Sequence, residues 1–376
     1  MQRACWYARA TAARDVPSRG EPWKAVGGAV PMRPESARVS LLLLVTPAFH
    51  GYWAPIARAC SAIGLDPVVH RYDAFDALSA KLRNKILYEG AERVGLRGAV
   101  RMRRDLTAEA ARAVRESRPD IVLVVKGDAL GEEFWDAVDR SGARRCLWLY
   151  DELSRMDYSC ETLTRVGAAG SYSRSDVTTL SNLGLRTDYV PLAYEDREPV
   201  GPNEWATVDE VTFAGARYPN RERLLRELTL KQVPVRAYGR DWSGHPLDRV
   251  RTWRVGTPAV PGAREVELVE AHRVMARSVA TLNIHGSTVT DGFTMRTFEA
   301  SGAGALQLID REDVDVFYEP GTEVLLFQGA DEIADLYARS RRDVGWARSI
   351  REAGRRRTLA EHTFVHRIRR LEALWA

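Results

Sequence analysis

"NIHGSTVTDGFTMRTFEASGAGALQLID", Asn283 to Asp310, changes character three times. The run "ATLNIH" ends an apolar strand at His285, and "GSTVTDG" is a turn-rich loop. "FTMRTFEASG" then takes helical spacing with Gly302 as a stop, and "ALQLID" returns to an apolar strand. Strand, loop, helix and strand in that order are one winding of a parallel sheet, so the fold class is α/β. The glycines of "ASGAGA" come after the helix and before the strand, the reverse of a dinucleotide fingerprint.

Upstream, the same alternation runs through "EVTFAGA", "NRERLLRELTL", "VPVRAYG" and "REVELVEAHRVMARS", and downstream through "EVLLFQG" and "ADEIADLYARS". Before a stretch rich in Pro, Gly and acids, a first alternation is complete in itself. It begins with "VSLLLLVT", and its "IVLVV" has the unbroken β-branched character of a strand buried on both faces. The expected organisation is two Rossmann-like domains facing across a cleft. Residues 39–197 form the first, 198–208 a linker, 209–342 the second, and 343–376 basic helices that pack on the domains. Residues 1–38 mix Pro, Gly, Ala and Arg without periodicity and read as a disordered extension, with Met32 an alternative start to Met1.

Composition narrows the classes of function. With 376 residues, 45% hydrophobic and 28% charged, the chain is globular, and a formal charge of +4 gives no reason to expect specific nucleic-acid binding. Cys5, Cys60, Cys146 and Cys160 are far apart and include no CxxC, so reduced thiols are expected rather than a zinc module or a disulfide framework. "VSLLLLVTPAF" is too short to span a bilayer and runs into an amphipathic helix, so it reads as the first buried strand of a cytoplasmic protein. The arginines between Arg339 and Arg370 suit packed helices with a basic exterior, with loose attachment to an anionic membrane as the functional alternative. His362 and His366 share a helical face but have no third ligand nearby, so no metal site is expected.

No GxxxxGK[ST], HExxH or GxSxG is present. Chemistry instead concentrates in the opening stretch. With Thr294 as the cap, the free amides of Phe293 to Met295 would favour an anion such as a diphosphate, and Arg296 would add a charge-assisted contact. Glu299, a turn into that helix, can accept from a vicinal diol such as a ribose, and Asp291 can receive sugar hydroxyls. Each residue also has a plainer reading: Asp291 as a turn former, Glu299 and Arg296 as a solvated helix face, and His285 as a satisfied strand-end histidine rather than a sugar contact. In the first domain His50, Asp128 and Asp151 fall at strand carboxyl ends, where an acceptor would be oriented.

The two acids eight positions apart, followed by a small-residue turn and a strand, resemble the paired-acid signature of two-Rossmann-domain (GT-B) glycosyltransferases of group 1 type, with Asp291 where the first glutamate usually stands. Together with "EPGTEVLLF" and "FAGARYPNRERLL", the stretch is similar to CgeB-like glycosyltransferases, most closely over Val211 to Phe327. The resemblance implies a nucleotide diphosphate sugar as donor substrate and no cofactor or bound metal. Glu299 would hold the ribose and Asp291 the donor sugar, beside which His285, from its strand-end position, is either a sugar contact or a structural histidine. Gly292, Phe293 and Thr294 would meet the diphosphate, and Gly215, Arg217 and Arg221 would approach the leaving group. It implies retention of configuration as well. A noncatalytic nucleotide-sugar-binding or scaffold protein of the same fold is the alternative.

Overall fold

The structure, a computed structural model, describes residues 39–48, 51–74, 98–246, 248, 258, 260–286 and 291–375. The helix expected from "DALSAKLRNKILYEGAERVGL", the extension 1–38 and His50 lie outside the described residues. The chain divides into two compact units, 1–191 with 365–376, and 192–364. The expected linker, 198–208, therefore falls within the second unit, and the C-terminal basic helices are shared between the two.

In the first unit, β1 (Leu41–Thr46), β2 (Asp66–Arg71), β3 (Ile121–Val125), β4 (Arg144–Leu149), β5 (Ala168–Ser171) and β6 (Arg186–Tyr189) form one sheet in the order β2-β1-β3-β4-β5-β6. Every pairing is parallel. Crossovers are made by α1 (Trp53–Ala62), α2 (Gly98–Ser117), α3 (Glu132–Ser141), α4 (Cys160–Val166) and α5 (Arg174–Asn182). All five residues of β3 are buried, as a strand covered by helices on both faces requires. Leu43, Val45, Val122, Val124, Leu147 and Leu149 pack with Phe134 and Trp135 of α3, and burying each such side chain contributes about 1.5–3 kcal/mol. Burial pushes the Cys60 and Cys146 thiols up to about 12, so both stay protonated and inert.

The second unit holds β7 (Val208–Ala214), β8 (Val235–Tyr238), β9 (Gly262–Ala263), β10 (Ser278–Asn283), β11 (Gln307–Ile309) and β12 (Leu325–Leu326) in the order β12-β11-β10-β7-β8-β9, again all parallel. Its helices are α6 (Pro219–Leu230), α7 (Leu268–Arg277), α8 (Arg296–Ala303), α9 (Ala330–Arg342) and α10 (Val344–Glu361). From β7 the chain winds outward through β8 to β9, then returns to β10 beside β7 and winds the other way. The direction reverses between β7 and β10, and in sheets of this kind ligands bind at the carboxyl ends of the strands at that reversal. The loops beginning at Gly215 and Ile284 both leave from this point.

α8 differs from the sequence expectation at both ends. Gly302 does not stop it. Gly304 does, in the left-handed region at φ +81°. Gly302 sits inside the helix because the Tyr194 ring occupies the space of a Cβ, 2.4 Å from where one would lie. At the other end the N-cap is Met295 with no side-chain cap, because the Thr294 hydroxyl donates instead to Asn283 Oδ1, at 3.2 Å. A final helix, α11 (Phe364–Trp375), lies almost wholly in the first unit, where Arg367 donates to the Pro191 carbonyl and Arg370 forms a two-pronged pair with Asp188. Among the described residues no helix is long and apolar enough to cross a membrane.

Candidate functional site

The second unit gathers the expected residues around the reversal of its sheet. Gly215, the first residue after β7, lies against Gly239 at the end of β8. A Cβ on Gly239 would fall 2.3 Å from the Gly215 carbonyl oxygen, so these backbones approach closely only because a glycine is there. Arg221, in the first turns of α6, is buried. Its Nε and Nη2 donate to the Ile284 carbonyl at 3.1 and 2.8 Å, and Nη1 donates to the Ala216 carbonyl at 3.1 Å. One guanidinium thus ties the loop after β7 to the loop after β10. Burial, with Arg296 nearby, lowers its pKa to about 10, and it remains charged at neutral pH. Arg217 behaves differently, being held by both oxygens of Glu222 at 2.7 and 2.9 Å.

Arg296 opens α8 and has no ion-pair or hydrogen-bond partner among the described residues. The Thr297 and Phe298 amides turn back to the Thr294 and Met295 carbonyls, whereas the Met295 and Arg296 amides find no partner among the described residues. A cation, free helix-start amides and a second, buried cation therefore meet at the reversal point. Each favours an anion, and an anion there would relieve the repulsion between Arg221 and Arg296.

The loop in front of α8 is fixed from below. Asn283, the last residue of β10, donates to Thr297 Oγ1 at 2.9 Å and to Gln307 Oε1 at 3.0 Å while accepting from Thr294. His285 Nδ1 lies 2.7 Å from Asp310 Oδ1, and the His285 amide also donates to that carboxylate. Phe293 is buried between the His285 and Phe317 rings, and Arg311 stacks on it at 4.5 Å while donating to the Gly292 carbonyl at 3.4 Å. Asp291 and Gly292 stand at the tip of this arrangement, Asp291 partly exposed and Gly292 buried. Glu299 is only 4% exposed, with His272 Nε2 3.9 Å from its carboxylate. That His272 nitrogen is buried with no hydrogen-bond partner among the described residues, and its ring packs on Tyr194.

Residues 219–373 match the family described as glycosyl transferase-like. The spore protein CgeB of Bacillus subtilis (strain 168) is 24% identical over 218 residues, covering 54% of this chain and 67% of that protein. Among solved structures, Anabaena HepE in complex with UDP-glucose superposes with a TM-score of 0.58 at 13% identity, covering 89% of this chain and 98% of that one. Sucrose-phosphate synthase from Thermosynechococcus elongatus gives the same TM-score, identity and coverage. Residues 219–373 thus form a glycosyl transferase-like region, and the two parallel six-stranded sheets have the GT-B fold of these structures. The family match begins at the first residue of α6 and takes in Arg221, the whole of Asn283 to Asp310, and α10.

In the first unit, Asp151 accepts contacts from Lys126 at 3.6 Å and Arg155 at 3.1 Å, and the Asp128 backbone carbonyl accepts from Arg103 at 3.2 Å. Lys126 and Gly127 are both left-handed, at φ 63° and 69°, where the chain leaves β3. Sequence reasoning missed Asp310 and Arg311, just past the end of β11, and His272, in the middle of α7, because contacts across the fold rather than spacing single them out. Asp310 alone carried a signal, as the polar residue closing a strand beside the one that ends in His285. His362 is buried among Phe298, Phe317 and Tyr318. Five of the C-terminal arginines are occupied within their own unit: Arg351 and Arg355 by carbonyls, and Arg341, Arg348 and Arg357 by carboxylates. Among the described residues, Arg342, Arg356 and Arg369 are exposed and have no such partner.

Proposed function

We propose that the protein is a glycosyltransferase that moves a sugar from a nucleotide diphosphate sugar to an acceptor hydroxyl or amine, with retention of configuration and without a metal ion. The observation that carries the reading is the meeting of Arg296, the free amides at the start of α8 and the buried Arg221 at the reversal of the second sheet. These groups would take the diphosphate and stabilise the charge that develops on it as the glycosidic bond breaks. Glu299 would accept from the ribose diol and Asp291 from the sugar, with Gly292, Phe293 and Thr294 lining the approach. Gly215 would let the backbone come near the nucleotide. Arg217, already paired with Glu222, would contribute at longer range. The UDP-glucose bound by HepE supports a uridine nucleotide as the first donor to try. Asp128 and Asp151 are proposed to orient the acceptor, and His50 is kept on that side from its sequence position alone. Weak attachment to anionic membranes would fall to Arg342, Arg356 and Arg369.

The test is release of nucleotide diphosphate across a panel of nucleotide sugars, with and without EDTA. One donor should be consumed at a rate that the chelator leaves unchanged. Loss of activity on chelation, restored by a divalent cation, would remove the metal-free part of the reading. Binding of a donor with neither release nor transfer would support the noncatalytic alternative. Asp291→Asn, which keeps volume but gives up the charge, should lower kcat/KM by roughly tenfold, the value of about 1.4 kcal/mol for a charged hydrogen bond to a sugar hydroxyl. Unchanged kinetics would take Asp291 out of the site.

A further inference from the structure

We infer that Asp310 and His285 are positioning residues that together set the start of α8, and so the placement of the amides offered to a diphosphate. The inference rests on the reading of α8 as the donor site. The partners of the His285 ring determine its protonation state. A carboxylate can only accept, so Nδ1, 2.7 Å from Asp310, carries the proton. A backbone amide can only donate, and the Thr294 amide points at Nε2 from 3.5 Å, so Nε2 carries none. The ring is therefore neutral with its proton on Nδ1, held in that tautomer by Asp310, which also takes the His285 amide at 2.9 Å.

Thr294 directly precedes the Met295 cap, so the position of its amide fixes where the Met295 and Arg296 amides point. The chain of contacts runs from the end of β11 through the end of β10 to the start of α8. Protonating Nε2 turns its acceptor into a donor facing the Thr294 N–H, and the contact is lost. The charged groups around this ring are Asp310 and Asp313 at the exit of β11, Arg311 on Phe293, Arg221 beneath Ile284, Arg296 on α8 and Asp291 on the loop. Asp310 is the group in direct contact with the ring, so it selects the tautomer.

Two readouts test this on the full chain. In the ligand-free protein, nitrogen-correlated NMR of the imidazole should show the Nδ1–H tautomer, and the Thr294 amide should show the shift of a donor to Nε2. In Asp310→Asn a measurable fraction of the rings should take the Nε2–H tautomer, because the carboxylate that fixes the Nδ1 proton is gone. In His285→Gln, whose amide oxygen can reach the Nε2 position, the Thr294 amide should stay hydrogen-bonded, and in His285→Phe, which offers no acceptor, it should not. With a uridine diphosphate sugar as the probe, donor KM should rise several-fold in Asp310→Asn and His285→Phe while kcat changes less, and His285→Gln should stay near the wild type. An Nε2–H tautomer in the wild type, or a Thr294 amide whose shift ignores these substitutions, overturns the inference whether or not any donor binds. If the Thr294 shifts behave as described but the wild type binds no nucleotide sugar, the positioning relay stands and the donor reading fails. General unfolding would collapse all amide shifts together, which separates it from a positioning effect.

Discussion

Glu299→Gln should reduce donor turnover by roughly 10- to 100-fold, the value of about 1.5–3 kcal/mol for hydrogen bonds to a charged acceptor. Glutamine has the volume of glutamate, so the buried position on α8 stays filled. What is lost is the charge that two ribose hydroxyls would address together and that lies 3.9 Å from His272 Nε2. The loss should appear in kcat/KM for the nucleotide sugar. The melting temperature without donor should change little, because the change leaves the packing of Phe298 and Ala300 in place. Wild-type kinetics in the variant would mean that the ribose is held elsewhere, and that Glu299 belongs to the packing around Tyr194 rather than to the site.

A different kind of effect is expected from Arg351→Met. The Arg351 guanidinium is buried, and it donates to the carbonyls of Ala276 at 3.1 Å, Ser278 at 2.6 Å, Val279 at 2.8 Å and Gly304 at 2.8 Å. It joins the end of α7, the start of β10 and the cap of α8 to α10. Burial lowers its pKa to about 10, which leaves it charged at neutral pH and able to make all of these contacts. Methionine fills much of the space but satisfies none of the four acceptors. We expect a loss of about 3–5 kcal/mol, the usual scale for removing one partner from a buried charged network. That corresponds to a fall on the order of 10 °C in melting temperature for a domain of this size. Denaturant titration followed by tryptophan fluorescence reads it directly. A loss below about 1 kcal/mol would mean that water reaches those carbonyls, since solvated acceptors cost little to leave unpaired.

The two substitutions show which parts of the molecule were legible beforehand. The α/β class, the position of β3 and the strand-helix-strand order of Asn283 to Asp310 follow from hydrophobic periodicity, which is local and strong. Glu299 and Arg296 stood out in the sequence because helix-start chemistry is local too. The cap of α8 was misplaced because Thr294 met a competing acceptor, Asn283, eleven positions away. Its end was misplaced because Gly302 is required by the Tyr194 ring rather than by a turn. Arg351, Asp310 and His272 could not be recognised from spacing. An arginine in a basic run reads as solvated until the fold surrounds it with carbonyls, and a strand-end aspartate is ordinary until a histidine on the next strand meets it. Arg221 was selected for charge, and the fold gives it a further task as the clamp between two loops.

Whether the start of α8 holds the diphosphate of a nucleotide sugar is decided by a crystal structure of the protein with a bound uridine diphosphate sugar. Phosphate oxygens are expected at about 3 Å from the Met295 and Arg296 amides and the Arg296 guanidinium, with the ribose against Glu299 and the sugar toward Asp291. A nucleotide bound with its phosphates away from α8, or with its ribose far from Glu299, would contradict that placement.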